Sequence, residues 1–159
     1  MDIFDEEILK LWKSFSFNGL EYIMVGGVAT NLHGYSRTTA DIDIWIKDTI
    51  ENRKRLNQSL IQFGYGEIPN IETLEFVPGW TSLRLMSGIE LDIMTSLKGF
   101  PQERFDECMK YASTAIIFTI EVKFLHINHL IEAKKTSNRN KDIIDIEELE
   151  KIKKEKESE

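Results

Sequence analysis

Residues 41–46 read Asp-Ile-Asp-Ile-Trp-Ile, a strict alternation with a period of two. A pleated strand sends successive side chains to opposite faces, so Asp41, Asp43 and Trp45 share one face while Ile42, Ile44 and Ile46 share the other. The two carboxylates then stand roughly 6 to 7 Å apart along one strand and repel each other. Packing an apolar sheet gains nothing from that pair. Either the acids face water at a sheet edge, or they serve a hard divalent cation, which takes oxygen ligands and is commonly held by one or two carboxylates.

The rest of the chain is sized to build a sheet around this run. Its 159 residues, 42 % apolar and 30 % charged, describe one domain able to bury roughly two thirds of its unfolded surface. The formal net charge of −7 excludes a global basic field for nucleic acid, so a polyanionic ligand must be held locally. Most of the acidic excess lies in the first eighty residues, which makes the second half the source of positive charge for a phosphate. Cys108, the single cysteine, can form no internal disulfide and reads as a structural thiol. The acidic start MDIFDEEILKLW is no secretory signal, and no apolar run approaches the ~20 residues that span a bilayer. A cytoplasmic protein without membrane contact is expected.

Turn signals and periodicity predict a mixed β-sheet flanked by helices, an α/β (α+β) architecture. An amphipathic helix over 5–17 precedes a strand at Tyr22–Val25, which stops at Gly26-Gly27. A short helix over Val28–Leu32 closes at His33-Gly34, and the acid strand follows a loop over 35–40. A helix over 50–63 ends at Gly64. Strands are expected at 73–77, 82–86 and 89–94, the last two joined as a hairpin at Ser87-Gly88. Beyond them come a helix over 101–111, one or two strand segments over 116–125, and helices over 127–135 and 142–153. One domain over 1–150 and a charged tail over 151–159 complete the reading.

A third carboxylate, Asp92, sits in Leu-Asp-Ile-Met, again one acid in an apolar strand. The hairpin before it could return this strand beside 41–46. Three acids converging there could hold Mg²⁺ and orient an attacking hydroxyl for phosphoryl or nucleotidyl transfer; diverging, they would be edge acids. Gly26 and Gly27, lying between a strand and a short helix, would let backbone amides approach a phosphate closely. The pattern is neither a Gly-Lys-Ser/Thr phosphate loop nor a dinucleotide fingerprint.

Val25-Gly26-Gly27, the His33-Gly34 pair, Arg37-Thr38-Thr39-Ala40-Asp41-Ile42-Asp43 and the later Asp92 together resemble the signature of the DNA polymerase beta superfamily of nucleotidyltransferases, in its small bacterial and archaeal form. The resemblance spans about residues 20 to 150 and includes Leu130 to Lys134 with Arg139, Lys141, Asp142 and Asp145. It implies a nucleotidyltransferase-like fold and transfer of a nucleoside monophosphate from ATP or another NTP to an acceptor hydroxyl, with release of pyrophosphate. It further implies that Asp41, Asp43 and Asp92 are catalytic and bind two Mg²⁺ ions, for which Mn²⁺ can substitute, and that Gly26 and Gly27 hold the triphosphate. Gly27 stands where many members carry Ser, so backbone amides must replace a hydroxyl contact.

Arg37 and Thr39 stand at the mouth of this site as candidate nucleotide contacts. Lys134 is the first candidate for reaching a phosphate, ahead of Arg139 and Lys141, although a solvated face paired with Glu132, Asp142 and Asp145 would account for the same cluster. His33 reads as a packed or capping histidine, and Trp45 and Trp80 as packing residues before base-stacking ones. The acceptor, whether small molecule, RNA or protein, is not legible. With little room for an acceptor domain, a homodimer or an operon-encoded protein partner could complete the site. The alternative function is a non-catalytic nucleotide-binding or antitoxin-like regulatory partner with the same fold.

Overall fold

A computed structural model of the chain describes residues 5–36, 41–75 and 80–158. Helix α1 (Glu6–Phe17) starts where the Asp5 carboxylate accepts from the Glu7 amide at 2.9 Å. Its residues Ile8, Leu11, Trp12 and Phe15 recur at helical spacing and are fully buried. Strand β1 (Tyr22–Val25) is buried throughout and runs directly into the seven-residue α2 (Gly26–Leu32). Strand β2 (Asp41–Ile46) follows, then α3 (Ile50–Phe63), which is capped by the Thr49 side chain and stopped by Gly64 in the left-handed region.

Strands β3 (Trp80–Arg84) and β4 (Glu90–Met94) form the expected hairpin. Gly88, at φ +92°, turns it, and the Leu85 amide donates to the Ile89 carbonyl at 2.8 Å. A 3₁₀ turn over Gln102–Arg104 leads into α4 (Phe105–Tyr111). A second hairpin, β5 (Ser113–Ile117) and β6 (Ile120–Phe124), precedes α5 (Ile127–Ser137) and α6 (Asn140–Glu157).

The six strands form one mixed sheet in the order β3-β4-β2-β1-β6-β5. Strand β2 pairs antiparallel with β1 and parallel with β4, and β1 pairs parallel with β6. The two hairpins lie at the sheet's edges. Tyr22, opposite Ile46, stacks on Trp12 at 6.1 Å and meets Phe15 edge-on at 5.1 Å, which places α1 over the isoleucine face of β2. On the other face Trp45 is fully buried between Phe105 at 5.2 Å and Phe100 at 6.1 Å, both edge-on. Its Nε1 donates to the Thr95 carbonyl, so Trp45 is a packing residue on the face that also carries the acids.

Two expectations are corrected. The strand expected at 73–77 does not form over its described part: residues 71–73 are a turn and 74–75 are irregular. The carbonyls there take a different partner, because the Arg53 guanidinium donates to the Ile71 and Leu74 oxygens and removes them from any ladder. The helix expected over 142–153 is longer, since α6 runs from Asn140 to Glu157 and takes in most of the charged tail. Among the described residues, no helix is long and apolar enough to cross a membrane.

Candidate functional site

Strand pairing lines up one row of residues across four strands: Val25 on β1, Asp43 on β2, Asp92 on β4 and Ser82 on β3. A second row sets Asp41 opposite Glu90 and Glu90 opposite Arg84. Asp43 and Asp92 occupy the same register position on adjacent strands and hydrogen-bond to each other. Burial first, then the Asp92 hydrogen bond and the charges of Asp92 and Asp41, push the Asp43 carboxyl up to about 7. Burial, together with Asp92 and Glu90, also raises Asp41, while Lys141 pulls it down. At neutral pH the Asp43 carboxyl therefore carries a proton for part of the time.

Gly26 is at φ +67°, where an L side chain is strained, and a Cβ built there would overlap Asp43 Oδ2. The glycine thus makes room for the carboxylate at the joint between β1 and α2. Gly27 is buried in the first turn of α2. Together these residues line a cleft of about 380 Å³ whose sheet wall carries Asp41, Asp43 and Asp92. The same cleft is lined by Lys98, Lys134, Arg139 and Lys141 and by Leu97, Leu125 and Leu130. The acids and the cations face one space.

Lys134 borders that space but is already engaged. Its side chain is 8 % exposed and its ammonium lies 2.8 Å from Asp145 and 3.9 Å from Asp142, both of them buried acids. Burial opposes ionisation of Asp142, but hydrogen bonds from the Arg139 guanidinium and backbone amide, at 3.0 and 3.1 Å, outweigh it and hold the carboxyl below its usual range. This network pins α5 to α6 and starts α6 beside the cleft. Lys141, which the sequence reads first as part of an ordinary solvated face, lines the cleft, and its charge acts on Asp41 and Asp43.

Arg37 and Thr39 lie outside the described residues, as does the side chain of Trp80. His33 is buried, its Nε2 lies 2.7 Å from the Leu125 carbonyl and its ring rests on Phe124, so it is a packed histidine at the end of α2. Cys108 is buried in the core and burial pushes its thiol up to about 11, which leaves it inert. Ser82 and Lys98 carried no signal in the sequence. A serine inside a strand and a lysine in a loop acquire meaning only once the register and the cleft are known.

The donor set suits a hard divalent cation: oxygens only, on neighbouring strands, with a like-charge contact that a cation would relieve. Among the described residues, no group of three or more His, Cys, Asp or Glu side chains stands ready-made around a metal position. Asp43 and Asp92 hydrogen-bond to each other instead.

No curated protein has a matching sequence. Among solved structures, the chain is similar to a lincosamide antibiotic adenylyltransferase, LnuA, bound to lincomycin, at 18 % identity and a TM-score of 0.64, over 93 % of this chain and 97 % of that one. It is also similar to an antigenic nucleotidyltransferase-like protein from Paracoccidioides brasiliensis, at 18 % identity and a TM-score of 0.55, over 90 % of this chain and 72 % of the other. Identities this low establish a shared fold. Residues 2–155 match a family model described as nucleotidyltransferase of unknown function (DUF6036). That match takes in the whole sheet and every element around the cleft, and the chain belongs to this nucleotidyltransferase family.

Proposed function

We propose that the cleft transfers a nucleoside monophosphate from an NTP to an acceptor hydroxyl, in the manner of the DNA polymerase beta superfamily. The observation that carries this reading is the row Val25-Asp43-Asp92: it sets two carboxylates in contact beside Gly26, in a cleft that lysine and arginine also line. Asp41, Asp43 and Asp92 would hold Mg²⁺ or Mn²⁺. When bound, the ions supply charge neutralisation for the triphosphate and a lower pKa for the attacking hydroxyl.

The chain's own residues do the rest. Gly26 and Gly27 bring backbone close to the phosphates, and Lys98, Arg139 and Lys141, which line the same cleft, offset their charge. Lys134, held by Asp145, acts chiefly by fixing where α6 begins. The acceptor oxygen bonds to the α-phosphorus, the bond from that phosphorus to the bridging oxygen breaks, and pyrophosphate leaves. The acceptor proton passes to a carboxylate oxygen of the acid row. Edge strand β3, with Ser82 and Arg84 exposed, leaves the acceptor side open for a small molecule, an RNA end or a protein hydroxyl, and for a second subunit or partner protein.

The hydrogen bond between Asp43 and Asp92 favours a second reading, a nucleotide-binding protein without turnover, because a protonated pair binds cations poorly. Calorimetry with each NTP, with and without Mg²⁺, tests the site itself. Mg²⁺-dependent binding that Asp43→Asn abolishes in a folded protein is expected. Equal binding by wild type and variant would remove the carboxylates from the nucleotide site.

A further inference from the structure

Strand β3 gives the two acids of β4 different partners. Antiparallel pairing puts Ser82 opposite Asp92 and Arg84 opposite Glu90. Ser82 Oγ donates to Asp92 Oδ1 at 2.6 Å and stands 3.5 Å from Glu90 Oε2. Arg84 Nη2 donates to Glu90 Oε1 at 3.1 Å. A guanidinium cancels the charge of the carboxylate it pairs with, whereas a hydroxyl fixes one carboxylate oxygen and leaves the negative charge in place. Of two acids two residues apart on one strand, the one in the row with Asp43 is met by a hydroxyl and the other by a guanidinium.

We propose that Ser82 is a positioning residue for Asp92. By tying down Oδ1 from the edge strand, it sets the carboxylate torsion so that the second oxygen is turned toward Asp43, where a divalent cation would be shared. Asp92 is then held from both neighbouring strands, by a hydroxyl on β3 and by Asp43 on β2. The proposal rests on the metal reading of the cleft, and it gives a side chain outside the three carboxylates a role in cation affinity. An ordinary exposed serine on an edge strand would have none, because water replaces its hydrogen bond.

The test uses Mn²⁺ alone, titrated calorimetrically at pH 8 into wild type, Asp92→Asn, Ser82→Ala, Ser82→Thr, Ser82→Arg and Arg84→Ala, each checked by thermal melting. Groups that orient a metal ligand typically change affinity about 10- to 100-fold. Ser82→Ala should therefore bind about tenfold more weakly, at the low end of that range because the hydroxyl is exposed. Ser82→Thr, which keeps the hydroxyl, should restore wild-type affinity. Ser82→Arg should abolish binding by neutralising Asp92, and Arg84→Ala, on the same strand but away from Asp92, should cause no loss. Wild-type affinity in Ser82→Ala, or a loss in Ser82→Thr as large as in Ser82→Ala, overturns the proposal while Asp92→Asn still upholds the metal site. Equal Mn²⁺ binding by wild type and Asp92→Asn overturns the metal reading itself, and the role of Ser82 falls with it.

Discussion

Asp43 is the residue at which folding and chemistry conflict. Its carboxyl titrates near 3.8 in the unfolded chain and is pushed up to about 7 in the fold, chiefly by burial. The native state then holds a proton that the unfolded state releases. This group's contribution to stability is therefore complete below about pH 4 and is lost as the pH rises through 7. Replacing it with a neutral isostere removes the loss. Asp43→Asn should stabilise the metal-free protein at pH 8 by of the order of 1 kcal/mol or more, and have little effect at pH 4, as read from urea denaturation at the two pH values. Gly26 belongs to the same contact. Gly26→Ala combines a left-handed backbone with a Cβ overlapping Asp43 Oδ2 and should cost about 2–4 kcal/mol. In an Asp43→Ala background the cost should drop by at least 1 kcal/mol, because the overlap disappears and only the backbone strain remains. Additive effects would show that the two residues are not in contact. The three aspartates were legible because each interrupts an apolar strand without benefit to packing. The reason for Gly26 was legible only in part: spacing suggested a close approach by phosphate, whereas the adjacent carboxylate becomes visible only when β1 and β2 are paired.

Between elements, the decisive contact is the buried network that joins α5 to α6. Lys134 neutralises Asp145 and helps to neutralise Asp142, and all three side chains are nearly inaccessible. Lys134→Met would remove the ammonium that the two buried acids share, leaving Asp142 with Arg139, and should destabilise the fold by roughly 3–5 kcal/mol, measured by denaturant unfolding. The double variant Lys134→Met/Asp145→Leu should recover part of that loss, whereas a purely phosphate-binding lysine would leave stability unchanged in either variant. Sequence spacing located both helices but not this role, because a lysine and two acids read equally well as a solvated face. The hairpin at Ser87-Gly88 was legible because glycine punctuates the turn. The strand expected at 73–77 misled because Arg53 is distant in sequence, and a guanidinium that consumes carbonyls leaves no local mark on the segment it occupies.

At the scale of the molecule, the mixed sheet flanked by helices followed from periodicity, but the strand order did not. Placing β4 beside β2 depends on pairings between segments roughly fifty residues apart, and those pairings create the acid row, which shares its cleft with Lys98, Arg139 and Lys141. An acidic chain of net charge −7 can hold a triphosphate only by such local separation of charge. Nucleotidyl transfer leaves the α-phosphate on the acceptor and discards the other two; phosphoryl transfer moves the γ-phosphate. Incubating the protein with Mg²⁺ and NTPs labelled at either the α- or the γ-position in a cell extract, then separating protein, RNA and small molecules, distinguishes the two. The expected result is α-label on one acceptor class, γ-label appearing only in pyrophosphate, and neither with Asp43→Asn. Label transferred from the γ-position, or α-label transferred equally well by Asp43→Asn, would contradict nucleotidyl transfer at this cleft.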